Sequence, residues 1–137
     1  RIINQMVKNR DFWMPFAPSV LAERAGDYYD KPKPVFSPYM MFAFRSKLQK
    51  RATFAAALHP YDFTTRPQEV TAEYNPSYHL VLKEFESLTG EGILLNTSFN
   101  LHGEPIVYRA HDAVDVFLRS GLEHMALGHW WVEKLGT

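Results

Sequence analysis

The sequence predicts a mixed α/β domain in which helices pack on a sheet. Two patterns indicate this class: helical and strand segments alternate in the second half of the chain, and short hairpin-like segments separated by turns fill the first half. The 137 residues suit one domain, and a hydrophobic content of 46% is enough to build its core. Since the chain starts at Arg1 and not at methionine, we expect it to be a piece of a longer protein.

The first half is predicted to consist of short strands and turns. Prolines recur between Pro15 and Pro38, which argues against one long helix there. Apolar runs predict four strands, of which the last two are weaker: 16–21, 39–44, 54–58 and 68–72. Because Pro18 cannot donate a ladder hydrogen bond, we expect the first strand at the edge of a sheet. A short helix is expected within 21–29.

The second half contains the clearest helix signals. Asn75 suits an N-cap, Pro76 suits the first helical position, and Gly90 suits the residue that ends the helix. Apolar residues at helical spacing fill the interval between them. The segments expected to follow are a strand at 93–95, a second helix around 113–118 and a final strand at 125–132.

Charge and cysteine content exclude several classes of protein. Fifteen Lys and Arg residues balance 15 Asp and Glu residues, and this zero formal net charge disfavours binding to nucleic acid or to anionic lipid. The absence of cysteine excludes disulfides and thiolate zinc sites. No apolar run is long enough to span a membrane. These features are compatible with the reducing cytoplasm, where we expect the protein to be.

Four polar residues follow the predicted strand at 93–95: Asn96, Thr97, Ser98 and Asn100. Ligand sites in α/β sheets lie at the carboxyl ends of strands, and hydroxyl, amide and turn N–H groups suit phosphate oxygens. The same residue types also cap turns. From this segment alone, the turn interpretation is favoured over a binding site.

A second candidate segment carries two cations, Lys8 and Arg10, on either side of one residue. If the segment is extended, both side chains leave the same face and can converge on one anion. The alternative is a solvated basic pair, which is favoured when the segment is considered in isolation.

The third candidate is the loop between the two weaker strands, which contains His59, Asp62, Thr64 and Arg66. One loop with an imidazole, a carboxylate and a guanidinium is suited to bind a polar ligand. A purely structural loop is an equally supported interpretation. The histidines show no HxH or HExxH spacing, so we expect no metal site in this chain.

Several stretches together resemble the C-terminal domain of the carbamoyltransferase family of the NodU/CmcH type. They cover nearly the whole chain in the expected order and read VKNRDFWMPFAPSVL, SPYMMF, HPYDFTTRPQ, NPSYHLVLKEFESLTGEGILLNTSFNLHGEPIV and HDAVDVF. The resemblance implies that residues 1–137 form a YrdC-like domain, a twisted mixed sheet with helices packed on it. It also implies that this domain is a fragment of a longer two-domain protein.

The family resemblance implies an activity and assigns roles to residues. Related YrdC-like proteins handle ATP and form an acyl-adenylate, with a signature that corresponds here to Lys8, Arg10, Ser98 and Asn100 as catalytic residues. By this resemblance the domain binds carbamoyl phosphate and ATP, with Mg²⁺ as counter-ion, and forms carbamoyl-adenylate. The residues expected to bind substrate or nucleotide are Asn96, Thr97, His59, Asp62, Thr64 and Arg66.

The resemblance places the rest of the reaction on a preceding domain. An N-terminal actin-like ATPase-fold domain, which carries the metal in family members, would pass the carbamoyl group to an acceptor hydroxyl. One alternative is a non-catalytic YrdC-like module that binds nucleotide or RNA, although the neutral charge counts against RNA. Another is a degenerate domain kept for packing against its partner domain. The acceptor and the oligomeric state are left open.

The chain departs from the family pattern at several positions. Met14 stands where the family usually has arginine, and Phe63 stands where it usually has glycine. One extra residue follows His59. Arg109-Ala110 replaces the usual Thr-Pro before the last helix, and we therefore expect a weaker N-cap there.

Overall fold

The computed structural model describes residues Ile3, Lys8 and 14–135, which fall into two compact units. We call residues 14–97 the sheet unit, and Ile3, Lys8 and 98–135 the hairpin unit. The strands are β1 (Ala17–Leu21), β2 (Phe44–Arg45), β3 (Thr64–Thr65), β4 (Gln68–Val70), β5 (Ile93–Asn96), β6 (His124–Leu127) and β7 (Trp130–Glu133). The α-helices are α1 (Ala25–Tyr28), α2 (Pro76–Thr89) and α3 (Ala110–Arg119). Helices combined with mixed and antiparallel sheets confirm the predicted α/β class.

The sheet unit is built around a three-stranded sheet in the order β4-β1-β5. Strand β1 is parallel to β4 and antiparallel to β5, so the expectation that it lies at an edge is wrong. Proline is tolerated in this central strand because the ladder with β4 begins only at Ser19. On the side of β5, the N–H of Leu21 donates to the carbonyl of Gly92. Hydrogen-bonded and non-hydrogen-bonded positions alternate along an antiparallel pair, so Pro18 stands at a position that donates no hydrogen bond to β5.

The two faces of this sheet bury different sets of side chains. On one face, Val20 and Ile93 pack with aromatic and aliphatic residues from the following turns, namely Tyr28, Tyr29, Phe44, Phe54, Ala57 and Leu58. On the other face, Leu21 and Val70 pack with Leu82 of α2. This division follows from the alternation of side chains along a strand. The polar residues Ser19, Gln68 and Asn96 therefore share the face that α2 covers.

Helix α2 begins and ends where its sequence signals predict. The Asn75 side chain accepts a hydrogen bond from the N–H of Tyr78 at 3.2 Å, and Pro76 occupies the first turn. Gly90 ends the helix with a φ of 79°, a left-handed value that glycine adopts without strain. With 14 residues, α2 is the longest helix of the described part of the chain. No helix in that part has the length and hydrophobicity of a membrane-spanning segment.

Three predicted strands of the first half differ from the structure. The run at 39–44 contributes only Phe44 to a strand, because the chain turns at Met40, where φ is 57°. The run at 54–58 forms a 3₁₀ turn at Ala55–Ala57, consistent with the low strand propensity of alanine. The strand predicted at 68–72 ends at Val70. The expected helix within 21–29 is confirmed as a 3₁₀ turn followed by α1.

The hairpin unit packs α3 on the antiparallel pair β6 and β7. The single strand predicted at 125–132 is wrong, because Gly128, with a φ of 60°, reverses the chain between the two strands. Phe117 of α3 and Met125 of β6 are buried at the centre of this unit. The side chains that complete its core are Phe99, Val107, Leu122, Leu127 and Val132.

A buried carboxylate, Glu69 of β4, ties the loop that follows α1 to the sheet. Its side chain is 3% exposed and accepts hydrogen bonds from the Tyr29 hydroxyl at 2.9 Å and the Lys31 ammonium at 2.8 Å. The N–H of Ser37 donates to the same carboxylate at 3.1 Å, and the N–H of Glu69 donates to the carbonyl of Ser37 at 2.7 Å. Both ends of the segment from Tyr29 to Ser37 are thereby fixed on one residue.

We expect Glu69→Ala to lower the free energy of unfolding by about 3–5 kcal/mol, because it leaves Lys31 and the phenol of Tyr29 without their buried partner. Urea denaturation followed by circular dichroism measures the change. Glu73→Ala is the matched control, since Glu73 is exposed and its removal should change stability by less than about 0.5 kcal/mol. Equal effects of the two substitutions would contradict the role assigned to Glu69.

Candidate functional site

Three polar side chains of the hairpin unit converge although they are distant in sequence. The ammonium of Lys8 donates to Ser98 Oγ at 3.0 Å and to Asn100 Oδ1 at 2.5 Å. Ser98 Oγ donates in turn to Asn100 Oδ1 at 2.6 Å. Lys8 is only 3% exposed, whereas Ser98 and Asn100 are half-buried. A buried ammonium is thus held beside a hydroxyl and an amide.

The loop after Ser98 fixes how Asn100 presents its amide. Asn100 Nδ2 donates to the carbonyl of Glu104 at 2.7 Å, so the carbonyl end of the amide faces Lys8. The chain turns back at Gly103, whose φ is 82°, and the N–H of Val107 then donates to the carbonyl of Phe99. Asn100 therefore stabilises a turn and also contacts the buried cation.

Lys8 and Ser98 carry groups that are suited to an anion. The ammonium of Lys8 is a cation with donor hydrogens, and a serine hydroxyl can rotate toward an incoming oxygen. Lysine acts on phosphate oxygens as a point charge. Arg10, the other predicted cation of this segment, lies outside the described residues.

Asn96 belongs to a different group of side chains, in the sheet unit. Its Nδ2 donates to Gln68 Oε1 at 2.9 Å, and the hydroxyl of Ser19 donates to the same oxygen at 2.9 Å. Thr97, which follows Asn96, is half-buried. Ser19 was not predicted to be a site residue, and Gln68, at the end of the polar loop that follows His59, was given no role. A polar residue inside an otherwise apolar strand, as Ser19 is in APSVL, was the available signal.

The loop at 59–66 is organised by Asp62. Its Oδ1 accepts from the N–H of Thr64 at 2.9 Å and from the Thr64 hydroxyl at 2.8 Å, which lowers the pKa of Asp62 below its usual value. His59 Nδ1 lies 3.2 Å from the same oxygen without the alignment of a hydrogen bond. Arg66, the last predicted residue of this loop, has an exposed side chain. Two of the predicted residues, Thr64 and His59, thus lie against the carboxylate of a third, Asp62.

Phe63 occupies a backbone conformation that normally favours glycine. Its φ is 57°, and glycine is the residue that the family resemblance leads us to expect there. The Arg51 guanidinium lies 4.3 Å from the centroid of the Phe63 ring, and the Phe63 carbonyl accepts from the Ser46 hydroxyl at 2.6 Å. The cation–π contact gives the phenyl ring a function that glycine would lack.

Among residues Ile3, Lys8 and 14–135, no group of three or more His, Asp or Glu side chains is arranged to hold a metal ion.

Comparison with known protein families gives one match over nearly the whole chain. The family model described as the carbamoyltransferase C-terminus matches residues 1–134. This match includes every residue selected above as a candidate for binding or catalysis.

Curated relatives agree with this match. Nodulation protein NolO of Bradyrhizobium diazoefficiens is 39% identical over 96% of this chain and 24% of its own length. The 3′-hydroxymethylcephem-O-carbamoyltransferase of Amycolatopsis lactamdurans is 30% identical over 93% of this chain and 24% of its own length. An uncharacterized protein of Synechocystis sp. is 37% identical over 97% of this chain and 24% of its own length. The chain therefore spans about a quarter of the length of these relatives.

The lowered pKa of Asp62 predicts how the loop at 59–66 responds to acid. Because the hydrogen bonds from Thr64 stabilise the charged carboxylate, they persist above the pKa of an unfolded aspartate and are lost as the pH falls through the folded pKa. The amide proton of Thr64, followed by NMR from pH 6 downward, should therefore titrate with a midpoint below 3.8. Thr64→Val should raise that midpoint. A midpoint at or above 3.8 in the unmodified protein would refute the assignment.

Substitutions at Phe63 should separate backbone strain from side-chain contact. We expect Phe63→Val to be less stable than Phe63→Gly by about 1–2 kcal/mol, because a β-branched residue tolerates positive φ poorly. Urea denaturation gives both values. The control is the same pair of substitutions at the exposed Tyr61, where φ is not positive and valine should be at least as stable as glycine. A Phe63→Val variant as stable as Phe63→Gly would show that the conformation is not strained.

Proposed function

This chain belongs to the carbamoyltransferase C-terminus family, and we propose that it is the part of an O-carbamoyltransferase that binds carbamoyl phosphate and ATP and forms carbamoyl-adenylate. Family membership supports a transferase. The substrates and the adenylate are proposals, since the chain spans only about a quarter of its relatives.

The contact of Lys8 with Ser98 and Asn100 is the observation that carries the proposal. A lysine that is 3% exposed donates to Ser98 Oγ at 3.0 Å and to Asn100 Oδ1 at 2.5 Å, and both partners lie about 90 residues further along the chain. A buried ammonium beside a rotatable hydroxyl is suited to the phosphoryl oxygens of carbamoyl phosphate and ATP.

In the proposed reaction, these residues stabilise negative charge and align the reacting groups. Water attacks the phosphorus of carbamoyl phosphate, the bond between that phosphorus and the carbamoyl oxygen breaks, and inorganic phosphate and carbamate form. An oxygen of the carbamate then forms a bond to the α-phosphorus of ATP, and the bond between that phosphorus and the departing pyrophosphate breaks. Negative charge develops on phosphoryl oxygens in both steps, where Lys8 and Ser98 would act as fixed donors. We propose that Arg10 adds positive charge to this site, and that Arg66 of the sheet unit binds substrate or nucleotide.

The remaining parts of the reaction lie beyond this chain. We propose that an N-terminal actin-like ATPase-fold domain carries the family's metal and passes the carbamoyl group to an acceptor hydroxyl. Mg²⁺ would enter with ATP as its counter-ion, bound by phosphate oxygens. The Amycolatopsis relative, named for O-carbamoyl transfer to a hydroxymethylcephem, supports a hydroxyl as acceptor.

We expect Lys8→Ala, made in the complete protein that contains this chain, to slow pyrophosphate release dependent on carbamoyl phosphate by at least about 100-fold, because one fixed donor to the reacting phosphoryl group is removed. A coupled pyrophosphate assay gives the rate, and isothermal titration calorimetry gives the affinity for carbamoyl phosphate. Thermal melts show whether the variant is folded.

Lys33→Ala is the matched control, because Lys33 is exposed and its removal should leave the rate unchanged. A folded Lys8→Ala variant with full activity and affinity would refute the proposed site. If the unmodified protein binds RNA but neither carbamoyl phosphate nor ATP, the non-catalytic alternative is correct and the proposed reaction is wrong.

A further inference from the structure

The two edges of the central sheet differ in whether another segment covers them. The strand order is β4-β1-β5, so β4 and β5 each have an outer edge. The edge of β4 is covered, because the N–H of Glu69 donates to the carbonyl of Ser37 at 2.7 Å. Within the described part of the chain, no strand or backbone segment bonds to the outer side of β5. The edge of β5 is therefore the open edge of this sheet.

The register with β1 shows which backbone groups of β5 face outward. The bond from the N–H of Leu21 to the carbonyl of Gly92 fixes the alternation along this antiparallel pair. Ile93 and Leu95, the latter opposite Pro18, then stand at positions that do not bond to β1. Their N–H and C=O groups face away from β1 and have no hydrogen-bond partner among the residues that the structure describes. Strand β5 thus presents donors and acceptors in strand geometry along its outer edge.

An apolar groove of about 320 Å³ lies beside this edge. It is lined by Pro18, by the turn at 52–57 and by residues 93–95 of β5, none of which carries a charge. Ile93 and Phe54 of this lining belong to the same buried cluster, so the groove borders that face of the sheet. Because side chains alternate along a strand, a strand added beside β5 would direct every second side chain into the groove. The groove therefore fits an extended segment with apolar residues at alternate positions.

We infer that an extended segment from the rest of the protein pairs with β5 as a fourth strand of this sheet. In this mode of recognition, main-chain hydrogen bonds provide affinity and pockets for alternate side chains provide specificity. Exposed edge strands are usually protected by charge, proline or a covering segment, and β5, which reads ILLN, carries neither charge nor proline. The inference does not depend on the proposed reaction, because it concerns only how the sheet is completed.

The length of the relatives favours a segment of the same polypeptide over a second copy of this chain. This chain matches about a quarter of each relative, so most of each relative lies outside the matched part. A tethered segment meets the edge at a high effective concentration and needs little contact area. A stable dimer buries about 1,200–2,000 Å². A strand of four residues with a groove of this size does not supply such an area.

Hydrogen–deuterium exchange of the complete protein that contains this chain, resolved to single amides by mass spectrometry, tests the pairing. After correction for intrinsic rates, we expect the amide of Leu95 to exchange at least about 100-fold more slowly than that of Lys33. Lys33 is exposed, and its N–H donates no hydrogen bond within the described part of the chain.

Substitutions at Leu95 test the outward-facing donor itself. Leu95→Pro removes the outward N–H and leaves the ladder with β1 in place, because this position does not bond to β1. It should speed exchange at Ile93 by at least about 10-fold, since one hydrogen bond to the added strand is lost. Leu95→Ala keeps the N–H and is the matched control, which should speed exchange at Ile93 less than proline does. Equal effects of the two folded variants, checked by thermal melts, would contradict the role of this donor.

A photo-crosslinker in the groove identifies the occupant. With p-benzoylphenylalanine in place of Thr53, an exposed residue of the groove, we expect a crosslink to a segment of the same polypeptide outside this chain. The same replacement at the exposed Glu73, which does not line the groove, should not give this crosslink. A crosslink between two copies, or none beyond this chain, would refute the inferred occupant.

The measurements on the unmodified edge decide the inference even if a Leu95 variant does not fold. Exchange at Leu95 as fast as at Lys33 would show that the edge stays open and would overturn the inference. Slow exchange at Leu95 together with a crosslink from position 53 to another part of the same polypeptide would support it.

Discussion

The buried carboxylate of Glu69 is the constraint on which the sheet unit depends. A carboxylate that is 3% exposed must have partners, and the chain supplies them from Tyr29, Lys31 and Ser37. Burial together with the adjacent negative charge of Glu69 raises the pKa of the Tyr29 phenol, which therefore stays protonated and continues to donate. Because successive side chains of a strand face opposite ways, fixing Glu69 on one face also fixes Gln68 on the other. A structural ion pair on one face and the hydrogen bonds of Gln68 to Ser19 and Asn96 on the other thus depend on the same strand.

Two separate hydrogen-bond networks meet the polar residues at the end of β5, one before Thr97 and one after it. Asn96 bonds within the sheet unit, to Gln68, whereas Ser98 and Asn100 bond within the hairpin unit, to Lys8. Asn100 uses both ends of its amide, since its carbonyl end accepts from Lys8 and Ser98 and its NH₂ end donates to the carbonyl of Glu104. This pattern differs from that of a simple turn, in which side chains only satisfy nearby backbone groups. It explains why the apolar strand gives way to short hydrogen-bonding residues at this point.

Local signals in the sequence predicted the elements that depend on local interactions. Asn75 and Gly90 define α2 because a cap needs only residues within one turn. The apolar run at 39–44 was misleading, since Tyr39 and Met41 are exposed and strand formation depends on partners elsewhere in the chain. Glu69 could not be recognised as a structural centre, because its partners lie 32 to 40 residues away. The sequence pattern therefore did not predict the long-range hydrogen bonds of the fold.

Two of the departures from the family pattern, at Arg109 and at Phe63, are compensated by contacts in the structure. Arg109 replaces a capping residue, yet Asp112 accepts from the N–H of Arg109 at 2.9 Å, and this bond lowers the pKa of Asp112. The N-terminus of α3 is therefore still capped, by the acidic residue in its first turn. Phe63 replaces glycine and is stabilised by the guanidinium of Arg51. Both changes alter how the backbone is supported and leave the donors of Lys8 and Ser98 in place, so divergence at these positions does not by itself argue for a lost activity.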